Sequence, residues 1–112
     1  MKLYIITGTS SGIGNALALK FLEDADAHVL GISRRTAIVH ERFTHLRADL
    51  SKIEALEDVE FTFTGLETEI VLVNCAGWIG EIAPLGSQDH LAIEESFNIN
   101  LVAPSILINQ FL

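Results

Sequence analysis

Cysteine, proline, tyrosine and tryptophan are nearly missing from this 112-residue chain, which has one Cys, two Pro, one Tyr and one Trp. A lone thiol, Cys75, excludes an internal disulfide and suits a reducing, cytoplasmic compartment. Basic residues are scarce too: seven against fifteen acidic ones, a net charge of −8. Phosphate backbones select basic faces, so nucleic acid is not expected as a partner. No unbroken apolar run approaches the roughly 20 residues that span a bilayer. The apolar stretch after Lys2 is also too short for a signal-peptide core. No membrane partner is expected. His28, His40, His45 and His90 show no ligand spacing with one another or with Cys75, so no metal site is expected.

What is present is apolar residue, 49% of the chain against 20% charged, the balance of one folded domain covering 1–112. "LYIIT" (3–7) reads as a strand buried on both faces, and "GNALALKFLEDA" (14–25) as a helix. "HVLGIS" (28–33) and "FTHLRADL" (43–50) read as further strands. Ser51 and Glu54 form a capping-box pattern that predicts a short helix through about Val59. Gly65 marks a surface turn, "EIVLVNCAG" (69–77) is a fourth strand, and 87–112 is a long helical pattern interrupted near Asn100 and Pro104. Buried strands alternating with helices predict an α/β fold, a partial, doubly wound parallel sheet of order 3-2-1-4 with helices on both faces.

Between the first strand and first helix lies "TGTSSGIG" (7–14). Gly8 permits the sharp turn off the strand, Gly12 lets the backbone approach a pyrophosphate, and Gly14 lets the helix pack tightly on the strand. Ser10 and Ser11, with Thr9, add hydroxyl donors. Ile13 sits in the first helical turn, whose free amides and dipole favour an anion. A Walker phosphate loop is excluded because no Gly-Lys-Ser/Thr follows. Four of the seven basic residues, Arg34, Arg35, Arg42 and Arg47, crowd one short segment. A dinucleotide site reads a free ribose 2′-hydroxyl with an acidic residue at the end of the second strand. Here stand Ser33, Arg34 and Arg35, which suit a 2′-phosphate and predict NADP(H) over NAD(H). Two solvated arginines after a strand are the plainer reading.

These residues resemble the short-chain dehydrogenases/reductases, whose Thr-Gly-x-x-x-Gly-x-Gly turn is matched at every fixed position by "TGTSSGIG". In order along the chain, Asp49-Leu50 resembles the family's Asp-Leu at the adenine. "NCAG" (Asn74, Cys75, Ala76, Gly77) resembles its Asn-Asn-Ala-Gly, and Asn100 in "NINL" resembles its catalytic asparagine. Cys75 departs from the motif by replacing the second asparagine. The resemblance implies a Rossmann-type domain and an NADP(H)-dependent oxidoreductase acting on a small carbonyl compound or secondary alcohol. It also implies that the main-chain carbonyl of Asn100 holds a water in a proton relay, and that the 87–112 helix pairs subunits into a homodimer or homotetramer. Trp78 could wall the nicotinamide or substrate side, or simply be a surface or core aromatic. The family's Tyr-x-x-x-Lys is missing from these 112 residues, whose one tyrosine is Tyr4. The expectation is therefore the N-terminal, coenzyme-binding portion of such an enzyme, inactive alone. A non-catalytic NADP(H)-binding module or an inactive truncated fragment is the alternative.

Overall fold

The computed structural model describes residues 1–57, 59–79, 82–84 and 86–112. Four strands form one parallel sheet: β1 (Lys2–Thr7), β2 (Ala27–Ser33), β3 (Phe43–Arg47) and β4 (Glu69–Asn74), in the spatial order β3-β2-β1-β4. Helix α1 (Gly12–Leu22) connects β1 to β2, a 3₁₀ turn (Ile53–Leu56) follows β3, and α2 (His90–Phe97) follows β4. A π-helical turn (Asn98–Val102) leads from α2 into α3 (Ala103–Phe111).

Alternation along β1 divides the core. Ile6 points to one face, where it meets Ala18 and Leu22 of α1 with Val29 and Ile38. Ile5 points to the other, where it joins Ile32, Ala48, Leu50, Leu56 and, from α3, Ala103 and Leu107. Both faces of the sheet are thus covered, which is why its central strands are apolar without a polar side. The expected fold class and strand order are what the chain adopts.

Three local expectations need correction. Ser51 does not cap a helix: its hydroxyl donates to Asp49 Oδ1 at 2.7 Å, Lys52 takes the cap position without a side-chain bond, and only the 3₁₀ turn forms. Asp49 Oδ1 also accepts from the Ser51 amide, at 3.0 Å, so the aspartate two residues back draws the Ser51 backbone into a turn instead of a helix start. The end expected near Val59 borders Asp58, which lies outside the described residues. The arginine cluster divides. Arg42 donates from Nη1 to the carbonyls of Asp24 and Ala27, both at 2.6 Å, and from Nη2 to Leu22 at 2.8 Å. That ties down the α1–β2 turn at the far edge of the sheet. Finally, the break near Asn100 does not part the helix. His90–Phe111 runs on for 22 residues through the π turn, and by length and composition alone could cross a membrane. The long pattern expected over 87–112 is therefore present, and its interruption near Asn100 takes the form of a π turn rather than a break. Only the α3 portion of the helix packs on the sheet, with Ala103 and Leu107 wholly buried.

Candidate functional site

Parallel pairing brings the C-terminal ends of all four strands, Thr7, Ser33, Arg47 and Asn74, to one edge. A cleft of about 560 Å³ opens there. Its floor is the turn from β1 into α1. Gly8 has φ +73°, and a Cβ on it would stand 2.8 Å from Ala76 Cα, so this residue must be bare for β1 and the β4 loop to meet. Gly14 lies against the same turn: a Cβ there would come to 2.2 Å from Gly8 O. Gly12, at φ +59°, has no protein atom within 4 Å of the place its Cβ would take. That open space faces the cleft, which Gly12 lines with Gly8, Ser10, Ser11 and Ile13. Ile13 is 78% exposed, an unusual position for so apolar a side chain. Ser11 holds the N-cap position of α1 with no side-chain bond to the helix, leaving its hydroxyl for another partner.

At the end of β2, Ser33 and Arg34 line the cleft, and Ser33 Oγ donates to the carbonyl of Arg35 at 2.6 Å. A second hollow of about 330 Å³ is lined by Ser10, Ser11, Arg34 and Arg35. Two guanidinium groups and two hydroxyls there make a donor set for a phosphoryl group. After β3, Ala48, Asp49, Leu50 and Ser51 form the next wall. Burial pushes the Asp49 carboxyl upward. The hydrogen bonds from the Ser51 hydroxyl and amide outweigh this, helped by the charges of Arg34 and Lys52, and hold it below the usual carboxylate range.

Beyond β4, the Thr7 hydroxyl oxygen accepts from the amides of Cys75 at 3.0 Å and Ala76 at 3.1 Å. This staple shapes the loop so that Cys75, Ala76, Gly77 and Trp78 line the cleft. Asn74, in register with Thr7, lies outside the lining, as does Gly14, whose contact is with the turn. Burial raises the Cys75 thiol, which is therefore protonated at neutral pH.

Asn100 also lies outside the lining, in the π turn. Its side-chain oxygen accepts from Trp78 N at 2.9 Å and its amide donates to Trp78 O, so it clamps the loop that carries Trp78. Pro104, four residues on, has no amide hydrogen to return to the Asn100 carbonyl. Tyr4 is committed elsewhere, stacked on Phe21 with ring centroids 3.9 Å apart. Among the described residues no three His, Cys, Asp or Glu side chains gather as a metal site would require. Sequence reasoning passed over Glu95 and Ile99, which also line the cleft. Four apart on one helical face, they carry a periodicity signal, but nothing in the sequence says which face meets the strand ends.

Anion donors at the turn, basic groups at the β2 end and apolar walls beyond β3 could hold an elongated, phosphate-bearing ligand. The chain is similar to known proteins. The family model for short chain dehydrogenase matches residues 2–112. The chain is 32% identical over 117 residues to benzil reductase ((S)-benzoin forming) of Bacillus subtilis (strain 168), covering 99% of this chain and 48% of that protein. Among solved structures, a short-chain dehydrogenase/reductase from Burkholderia vietnamiensis superposes with TM-score 0.85 at 29% identity, over 96% of this chain and 54% of that one. A 4-hydroxyisoleucine dehydrogenase complexed with NADH gives 0.80 at 32% identity, over 98% of this chain and 48% of its own. The chain spans about half the length of the curated relatives it matches.

Proposed function

This chain belongs to the short-chain dehydrogenase family, and from that premise we propose that it is the coenzyme-binding portion of an NADP(H)-dependent oxidoreductase. The substrate class is a small carbonyl compound or the matching secondary alcohol, in keeping with the benzil reductases it resembles. When bound, the nicotinamide coenzyme supplies a hydride to a carbonyl carbon or takes one from an alcohol. Around it, the amides of Gly12 and Ile13 and the hydroxyls of Ser10 and Ser11 hold the diphosphate. Ser33 and the two arginines take the ribose and its 2′-phosphate. Asp49 and Leu50 bound the adenine, and Ala76 and Gly77 bound the nicotinamide side. Gly8, Gly14 and Asn74 act through the turns they make possible. Asn100 contributes its carbonyl to the proton relay and its side chain to the placing of Trp78.

The observation that carries the NADP(H) preference is the hollow walled by Arg34, Arg35, Ser10 and Ser11, beside a β2 end that has serine in place of a carboxylate. An acidic residue there would bond a free 2′-hydroxyl and repel a phosphate; a guanidinium fork does the reverse. Calorimetric titration of the purified chain with NADPH and NADH tests it. Arg34→Asp should shift the affinity ratio at least tenfold toward NADH, since charge-assisted bonds contribute about 1.5–3 kcal/mol. An unchanged ratio overturns the assignment.

A second reading rests on the missing Tyr-x-x-x-Lys: the 112 residues bind NADP(H) without turning substrate over. Tyr4 offers no substitute proton donor, being locked against Phe21 within the sheet. Protonated Cys75, with no disulfide partner, suits a reducing cytoplasm. The exposed apolar side chains Leu91, Phe97 and Leu101 suit subunit pairing through the 87–112 helix.

A further inference from the structure

The π turn stands between the two walls of the cleft. Asn98 opens it, and its Nδ2 donates to Ser51 O at 2.9 Å, across 47 positions of sequence. That bond completes Ser51, whose amide and hydroxyl both donate to Asp49 Oδ1. Among the described residues it is the hydrogen bond that joins the helix to the Asp49–Ser51 wall; Gln110 Nε2 ties the same connection further along, at Leu56 O. The neighbouring pair Lys52–Glu95, 3.7 Å apart and with side chains 48% and 28% exposed, contributes little. Two residues after Asn98, Asn100 grips the opposite wall through the amide and carbonyl of Trp78. Side chains two apart on a helix do not share a face. The two asparagines therefore reach out on different sides, and Ile99 between them lines the cleft. Asn98 itself lies outside the lining.

Resting on the dinucleotide reading above, we infer that Asn98 is a positioning residue: by holding Ser51 it fixes the separation between the β3 wall and the Trp78 loop that a bound coenzyme must span. A ligand that touches both walls at once binds best when their separation is already set. Release one wall, and the cost of ordering it again is subtracted from the binding free energy. A ligand that touches one wall alone can follow that wall as it shifts, so it loses less. Because Asn98 does not line the cleft, its replacement removes no contact with the coenzyme, and what changes is the spacing.

The test is calorimetric binding, to the full chain, of NADPH and of adenosine 2′,5′-bisphosphate, which carries the adenosine end of the coenzyme without the nicotinamide. Asn98→Leu keeps the size of the side chain and removes the donor. It should weaken NADPH by about fivefold, the worth of one hydrogen bond, and the bisphosphate by less than about twofold. Arg42→Met, which loosens the molecule at the far edge of the sheet, should leave both affinities unchanged, and so separates spacing from general loss of stability. If Asn98→Leu does not fold by circular dichroism, Asn98→Ser, too short to reach the Ser51 carbonyl, reads the same pair of affinities. A wild type that binds neither ligand overturns the dinucleotide reading and this inference with it. Three results on a wild type that binds both ligands overturn this inference alone: NADPH affinity that survives loss of Asn98, an equal fall for the two ligands, or the same fall in Arg42→Met.

Discussion

A methyl group on Gly14 would stand 2.2 Å from the Gly8 carbonyl oxygen, whereas one on Gly12 would meet no protein atom within 4 Å. The two glycines of one motif therefore fail differently. Gly14→Ala should cost about 2 kcal/mol or more in urea unfolding, because backbone on both sides must give. Gly12→Ala should cost about 1 kcal/mol, the penalty of a side chain at φ +59°, yet sharply weaken NADPH binding in calorimetry because the methyl enters the cleft. The glycine pattern was legible in the sequence because backbone conformation restricts the residue type. Thr7 was legible only as a fixed motif letter; its two amide partners lie 68 and 69 residues away, a distance no local pattern spans. Ser51 misled because a capping box and an Asp-Ser turn share the same serine, and the competing aspartate stood just outside the pattern.

At the scale of elements, four strands and their order followed from apolar runs and from the rule that parallel neighbours need a crossover. Lengths followed less well. β3 ends at Arg47 rather than near Leu50, because Asp49 turns the chain away through Ser51. The disturbance near Asn100 was foreseen from Pro104, but its form, a π turn inside an unbroken helix, depends on what the freed backbone can bond. Arg42 shows an element held from outside itself: one guanidinium closes the C-terminal end of α1 and the turn into β2. Arg42→Met should lower stability by about 2 kcal/mol in urea unfolding. Coenzyme affinity should not change, because Arg42 sits at the edge of the sheet opposite the cleft. Arg34→Asp should show the converse.

For the molecule as a whole, acid is the weak side. The hydrogen bond from Lys2 lowers Asp24, the Ser51 bonds lower Asp49 against its burial, and the Thr64 amide, with further help from Thr64 and Gly65, holds Glu67 down to about 2. Each folded-state value lies below the ordinary 3.8 or 4.5. Their stabilisation is therefore complete above those ordinary values and lost as pH falls from there toward about 2. Thermal unfolding should give a nearly constant midpoint from pH 7 to about 5 and a falling one below it. The subunit pairing proposed above would run through the long helix. Phe97, 60% exposed, and Leu101, 58% exposed, leave apolar surface that a second copy would cover. Phe97→Glu combined with Leu101→Lys should reduce the mass measured by light scattering to that of a monomer, if pairing runs through this face. The chain also carries its own reporter. Its one indole, Trp78, hangs at the rim of the cleft on a loop pinned by Asn100. A reduced nicotinamide settling nearby would quench its ultraviolet emission by energy transfer, so occupancy can be followed by fluorescence without any added dye.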